Sequence, residues 1–326
     1  MIAVVGSVNR DLALSVDALP TAGSTVAAGP VHRGLGGKGA NQAVALARLG
    51  RPVAMVGAVG DDLDGDLLRD ALAAEGIDVG AVARVDGPSG TAVVIVHGGE
   101  STILFSAGAN GLLDAARVHD VAAVVSGADA VVAQCEVPDE ALVAAAELAR
   151  GLFVVNPAPA RPLPAAVLDR ADVLVPNAGE LATLAGVATP DPADTDALAD
   201  LARALRPGRA TVVTCGSAGA VVVDAGVVQR VPVVPAELVD ATSAGDSFVA
   251  ALTDALLDGA GLVDAAGWAA RVASVTVSRA GASESLPFRE ELPSREELPV
   301  REEVPDLPGR RAAWDQRGQA AAPWRH

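Results

Sequence analysis

Short runs rich in Val, Ile and Leu recur along this chain at 2–6, 53–59, 91–96, 130–133, 152–155, 172–175, 211–214 and 220–223. Between many of them lie Ala/Leu-rich stretches with helical spacing, at 40–49, 62–75, 139–150, 194–206, 246–258 and 263–277. Strands that are apolar on both faces must be covered on both faces, and a parallel sheet with helices on each side does this. The expected fold is therefore α/β: a three-layer α/β/α domain around a mostly parallel sheet. Two stretches, 11–36 and 88–106, interrupt the rhythm with Gly, Pro and alternating β-formers, and read as a small inserted β-sheet, a lid. Near the end, Arg-Glu-Glu-Leu-Pro-Ser at 289–294 recurs with small changes at 295–300 and 301–306. A Pro in each repeat denies a continuous helix. Residues 1–289 thus read as the folded domain and 290–326 as a low-complexity, disordered tail.

Composition narrows the partners. Hydrophobic residues make up 51% of the chain but aromatics only 2%, so the core is built from small aliphatic groups. A net charge of -17 repels a phosphate backbone, and so few aromatics give little surface for stacking bases, which argues against nucleic acid. A small anion remains possible, because local backbone N–H groups bind phosphate against an unfavourable net charge. Cys135 and Cys215 lack metal-type spacing, so neither a disulfide framework nor a zinc site is expected. No run reaches the roughly 18 to 20 apolar residues of a membrane span, and Met1–Gly6 carries no basic leader. The reading is a cytoplasmic enzyme with no membrane partner, its first strand starting at Ile2.

Four segments can carry chemistry. Gly34 to Gln42 formally contains G-x-G-x-x-G at 34, 36 and 39, but about 30 residues separate it from the first strand, unlike a dinucleotide fingerprint. A Walker loop fails too, since His32 and Gly39 occupy its required Gly and Ser/Thr positions. What survives is a glycine-rich approach to a helix start, either a plain turn or backbone lying close to a ligand. Asn9 and Asp11, two apart in an extended chain, point to one side and suit vicinal hydroxyls, or else form a turn. Asn177 and Glu180 share a helix face and suit phosphate-bound Mg²⁺ held through water, or else form a capping box. In Asp240 to Phe248 a turn of small residues enters an apolar helix, so the N–H groups near 243–246 face an anion at the positive end of the helix dipole. Asp246 stands beside that anion. Phosphoryl transfer needs this pairing of donors for the phosphoryl oxygens with a base for the incoming hydroxyl.

Taken in order, these segments resemble the ribokinase family of PfkB-type carbohydrate kinases over nearly all of residues 1–289. The first signature resembles Gly36–Ala43 and the second Asp240–Phe248, with further matches at Gly108–Asn110, Gln134–Pro138, Asn156–Ala160 and Pro176–Glu180. Gly36–Gln42 and Asn156–Ala160 look more like the ribose-phosphorylating members than those acting on fructose or adenosine. The resemblance implies transfer of the ATP γ-phosphate to the 5-hydroxyl of ribose; deoxyribose, another sugar or a nucleoside is the alternative substrate. It implies that Asn9, Asp11, Gly37, Lys38, Asn41 and Glu136 bind the sugar, with Asp246 as base and Ser243, Ala244 and Gly245 as the anion hole. Asn177, Thr214, Gly216, Ser217, Gly219 and Gly245 would line the nucleotide site, and Glu180 would orient Mg²⁺ through water. A K⁺ site would use Asp240, Thr242, Thr276, Arg279, Gly281 and Ser285, and lid pairing implies a homodimer. Three positions depart from the family pattern. Ser243 replaces a usual Gly, tolerable at negative φ; Ala178 and Gly179 replace acidic neighbours of Glu180; and Ala270 replaces a polar residue near the adenine.

Overall fold

All four residues of the first strand, β1 (Ile2–Val5), are buried, and they divide between two cores: Ile2 and Val4 pack on one side, Ala3 and Val5 on the other. This two-sided burial is what a covered parallel strand requires. In the computed structural model, residues 1–97 and 100–294 are described; the repeats from Arg295 onward and the rest of the segment to His326 lie outside those residues.

From β1 the chain passes through β2 (Asn9–Ser15), β3 (His32–Gly36), α1 (Lys38–Arg48), β4 (Val53–Gly60), α2 (Leu63–Ala74), β5 (Val82–Val85), β6 (Gly90–His97) and β7 (Glu100–Ser106). Next come α3 (Ala115–Asp120), α4 (Ala122–Ser126), β8 (Ala130–Gln134), α5 (Asp139–Leu148), β9 (Leu152–Asn156), α6 (Ala165–Arg170), β10 (Val173–Leu174) and α7 (Ala178–Ala185). The last stretch is α8 (Thr195–Leu205), β11 (Ala210–Thr214), β12 (Ala220–Asp224), β13 (Val227–Val231), α9 (Ala244–Leu257) and α10 (Leu262–Thr276).

The large sheet has the order β13-β12-β11-β10-β9-β8-β1-β4-β5. It is parallel from β11 to β5 and ends in the antiparallel strands β12 and β13. Helices α1, α2, α9 and α10 contribute to the core on one face, and α3, α5 and α6 to the core on the other, so the three-layer expectation holds. The second sheet has the order β3-β2-β6-β7 and takes both interrupting stretches. Because β1 lies between β4 and β8, the chain reverses direction of winding there, and open α/β sheets bind ligands beyond the carboxyl ends of strands at such a point. β2 starts three residues beyond β1, which brings the small sheet to this edge.

The elements without a sequence signal are short: β5, β13, α3, α4 and α6. Four to six residues are too few for a period of 2 or 3.6 to stand out. The compact unit runs from Met1 to Leu292. Beyond Arg289, Glu291 pairs with Arg279 at 2.8 Å and Leu292, 9% exposed, joins the core beside α9 and α10.

Burying a Leu side chain contributes about 1.5–3 kcal/mol, whereas the half-exposed ion pair adds little. A chain ending at Arg289 is therefore expected to melt about 3–8 °C below one ending at Ser294, by calorimetry at equal concentration. Equal melting temperatures would show that Leu292 adds nothing to the fold.

Candidate active site

The site is assembled where α1 and α9 meet above the carboxyl ends of β1 and β8. Helix α1 begins at Gly37, whose φ of +88° suits glycine. Two residues later Gly39 lies so close to β1's exit that any Cβ would sit 2.6 Å from the Ser7 nitrogen. The glycine run thus serves close packing of the helix start. Glu136, just past β8, closes that start: its Oε2 accepts from the Ser7 hydroxyl at 2.5 Å and from the Lys38 N–H at 3.2 Å. That oxygen of a predicted sugar ligand is committed to the scaffold, which leaves Oε1.

Asp246 stands in the first turn of α9 and is 6% exposed. Its Oδ2 accepts from Asn41 Nδ2 at 3.1 Å and its Oδ1 from Gln42 Nε2 at 2.9 Å. Just ahead, the N–H of Ala244 closes a turn on Ala241 at 3.3 Å, and the first helical bond runs from the Ser247 N–H to the Ser243 carbonyl at 2.9 Å. Among the described residues the N–H groups of Ser243, Gly245 and Asp246 meet no backbone acceptor, and a Cβ on Gly245 would face open space. This is a donor cluster at the positive end of a fourteen-residue helix, beside a held carboxylate.

One expectation is corrected here. Ser243 has φ +60° and ψ 7°, in the left-handed region, not the negative φ at which its replacement of Gly is free of strain. An L-residue there costs about 1–2 kcal/mol. A partial offset is visible, since the Ser243 hydroxyl accepts a second bond from Asn41 Nδ2, at 3.1 Å.

Asp11, on β2, lies against Gly36 of β3 so closely that a Cβ at Gly36 would overlap its carboxylate. Burial, then the nearby charges of Glu136, Glu284 and Asp246, push its pKa up to about 7. Burial would lower the pKa of Lys38, but Asp246, Glu136 and Glu180 together hold it above its ordinary value. Lys38 is therefore the cation among three carboxylates. Two buried acceptors in this region, Asp11 Oδ1 and Asn41 Oδ1, have no hydrogen-bond donor among the described residues, an arrangement that suits a ligand rich in hydroxyls. Asn9 is buried and accepts through Oδ1 from Asn110 Nδ2 at 2.7 Å. Asn110 also clamps both backbone groups of Val8, at 2.8 and 3.2 Å, so it orients the start of β2.

Thr214, Gly216, Ser217, Gly219 and Gly245 line one cleft of about 470 Å³, together with Val233, Leu238, Ala270, Val277 and other small or apolar residues. This cleft opens onto the donor cluster through Ala244 and Gly245. Asn177 does not line it. Asn177 and Glu180 form a reciprocal capping box on α7, with both bonds at 2.7 Å, and Asn177 bridges to Thr214 across the sheet edge. Burial raises the pKa of Glu180 against the opposing effects of the Asn177 N–H and Lys38. Glu180 Oε2 makes the cap and Oε1 is left for a hydrated cation.

Asp240 ties together the two loops of the expected K⁺ site. Its Oδ1 accepts from the Thr242 N–H at 2.9 Å and the Thr242 hydroxyl at 2.6 Å, and its Oδ2 from the Gly281 N–H at 3.1 Å. Burial works against the charged form, but these bonds prevail and lower its pKa. Among the described residues the carbonyls of Thr242, Arg279, Gly281 and Ser285 receive no backbone donor from another loop, whereas that of Thr276 accepts from the Arg279 N–H at 3.1 Å. Four unclaimed carbonyls on two tied loops fit a weakly hydrated monovalent cation. The Arg279 side chain turns away to Glu291, and the Thr276 and Ser285 hydroxyls bond within the protein.

The profile of the pfkB family carbohydrate kinases matches residues 1–289, and the chain belongs to that family. The chain is 38% identical to a ribokinase of Schizosaccharomyces pombe over 301 residues, which cover 88% of this chain and 94% of that one. It is 36% identical to a ribokinase of Bacillus subtilis, over 88% of this chain and 96% of the relative. Among solved structures, the Arabidopsis thaliana ribokinase complexed with ribose and ATP superposes with a TM-score of 0.81 at 31% identity, covering 89% of this chain and 96% of that one.

The raised pKa of Asp11 has a cost in stability. Unfolded, the group titrates near 3.9; folded, near 7. Between those values the folded chain holds a proton that the unfolded chain releases, so stability falls as pH rises through this window and stays reduced above it. Asp11→Asn removes the penalty. Its melting temperature is expected to exceed the wild type's at pH 8 by more than at pH 5.5, while the KM for the sugar rises about tenfold or more. A melting difference independent of pH would refute the raised pKa.

Proposed function

We propose that this chain is an ATP-dependent ribose kinase that phosphorylates the 5-hydroxyl. The observation that carries the reading is the buried Asp246 carboxylate, gripped by two amides, next to N–H donors that meet no backbone acceptor among the described residues. Ribose as substrate is supported by the ribokinases above at 36–38% identity, and ATP by the small and apolar cleft that opens onto those donors.

In this mechanism Asp11 and Asn41 accept hydrogen bonds from the secondary hydroxyls, and Asn9 and Glu136 Oε1 add polar contacts. The primary hydroxyl is thereby presented to Asp246, which takes its proton as the oxygen attacks the γ-phosphorus in line. The bond to the ADP leaving oxygen breaks, and charge on the transferring group meets the N–H groups of Ser243, Gly245 and Asp246 and the ammonium of Lys38. Glu180 would orient the waters of a nucleotide-bound Mg²⁺, which would supply neutralisation of phosphate charge. A K⁺ held by the carbonyls around Asp240 would stiffen the 242–246 turn. Exposed Ile103, Leu104 and Phe105 on β7 support a homodimer formed through the lid. Among the described residues no helix is long and apolar enough to cross a membrane.

Two measurements test this. Asp246→Asn is expected to lower kcat by about 10²- to 10⁴-fold with little change in ribose binding; turnover within about threefold of wild type would remove Asp246 as the base. Replacing Na⁺ by K⁺ at constant ionic strength, with saturating ribose and MgATP, is expected to raise turnover. A flat response would eliminate the cation site and leave the kinase reading intact.

A further inference from the structure

We propose that Gln42 is a positioning residue that fixes the orientation of the base, as the last member of a relay of buried amides rooted in the sheet; this rests on Asp246 being the base. Gln42 is fully buried and donates from Nε2 to Asp246 Oδ1 at 2.9 Å and to Asn156 Oδ1 at 3.1 Å. Its Oε1 accepts from Gln134 Nε2 at 2.6 Å. Asn156 is locked in turn, because its Nδ2 donates to the Val175 carbonyl at 2.8 Å. A backbone carbonyl can only accept. It therefore forces Asn156 to turn its oxygen toward Gln42, and Gln42 to turn its N–H toward both Asn156 and the base.

A flipped Gln42 would set its oxygen against the Asp246 carboxylate and the Asn156 oxygen, and its NH₂ against that of Gln134. The contacts with Asp246, which can only accept, and with Asn156, held by the Val175 carbonyl, would become repulsive with no rotation to relieve them, so one orientation is enforced. Gln134 and Asn156 end the adjacent strands β8 and β9 and face each other in register, which makes the relay as rigid as the sheet. Gly6 keeps its place open, since any Cβ there would overlap Gln134 Oε1. Asn41 holds the other carboxylate oxygen but faces the sugar region and also serves Ser243, whereas Gln42 is anchored wholly within the protein. With Oδ1 tied to the sheet, the lone pair that meets the substrate hydroxyl has a fixed direction before the sugar binds. A displacement of about 1 Å at such a point costs on the order of a hundredfold in rate.

The test uses Gln42→Met and Gln134→Met in the full chain, assayed with ribose and MgATP, alone and combined with Asp246→Asn. Gln42→Met is expected to lower kcat about 10- to 100-fold while both KM values stay within about threefold. Gln134→Met, which touches the base only through Gln42, is expected to cost less, about 3- to 10-fold. In the Asp246→Asn background either change should cost less than about twofold, because no base remains to be positioned. The full loss persisting in that background, or raised KM values at unchanged kcat, would overturn the relay. If Gln42→Met fails to fold, the same cycle with Gln134→Met decides the question. Wild-type turnover in Asp246→Asn alone overturns the base itself, and is read separately from the cycle.

Discussion

Two consecutive amides on α1, Asn41 and Gln42, reach the carboxylate of Asp246 in the first turn of α9, 205 and 204 residues further along the chain. This contact joins the glycine-rich start of α1, which lies on β1 and β8, to the donor turn at the head of α9. Both helices lie on the same face of the sheet and share one apolar core, with Ala40, Ala43 and Val44 from α1 and Phe248, Val249 and Leu252 from α9. Small side chains matter at this seam. They let two helix starts approach closely enough for amide and carboxylate to bond directly, and burial then makes those bonds strong and a lost partner costly.

Around that contact the molecule concentrates like charge. Asp11, Glu136, Glu180 and Asp246 act on one another or on Lys38, and burial and mutual repulsion raise the pKa of Asp11 to about 7. Such congestion works against folding and serves binding, because unsatisfied buried acceptors are an incentive for a ligand with hydroxyl donors. The left-handed Ser243 is a smaller cost of the same kind, carried by the turn that leaves backbone N–H groups open at the head of α9. The expense is met by the apolar layers on both sides of the sheet, in which β1, β8 and β9 are almost completely buried.

The loops at the site are connected as well as adjacent. Asp240 binds the 240–243 turn to Gly281, Ser283 donates to the Leu35 carbonyl of β3 at 3.0 Å, and Arg48 donates to the carbonyls of Ser283 and Leu286 at 2.8 and 2.7 Å. The small sheet, the donor turn and the loop of the expected cation site thus share one hydrogen-bonded framework. Asp11 belongs electrostatically to the same group, because Glu284 of that loop is among the charges that raise its pKa.

Much of this was legible from the sequence. Apolar runs on both faces of strands dictated the layers, and small residues leading Asp246 into an apolar helix dictated an anion site with a carboxylate beside it, because strand burial and helix-end chemistry are local properties. The Asn177–Glu180 spacing was equally local, and its capping box was one of its two readings. Other features depend on partners remote in sequence. Gln42, Gln134 and Asn156 lay inside recognised motifs without a role, since an amide shows its function only when packing supplies the group it faces. The sign of φ at Ser243, the burial of Leu292 and the raised pKa of Asp11 follow the same rule. Periodicity and helix ends are written in neighbouring residues and settled the architecture; the partner and orientation of each buried polar group were decided by which elements the tertiary fold presses together, because a hydrogen bond is satisfied in space and not along the chain.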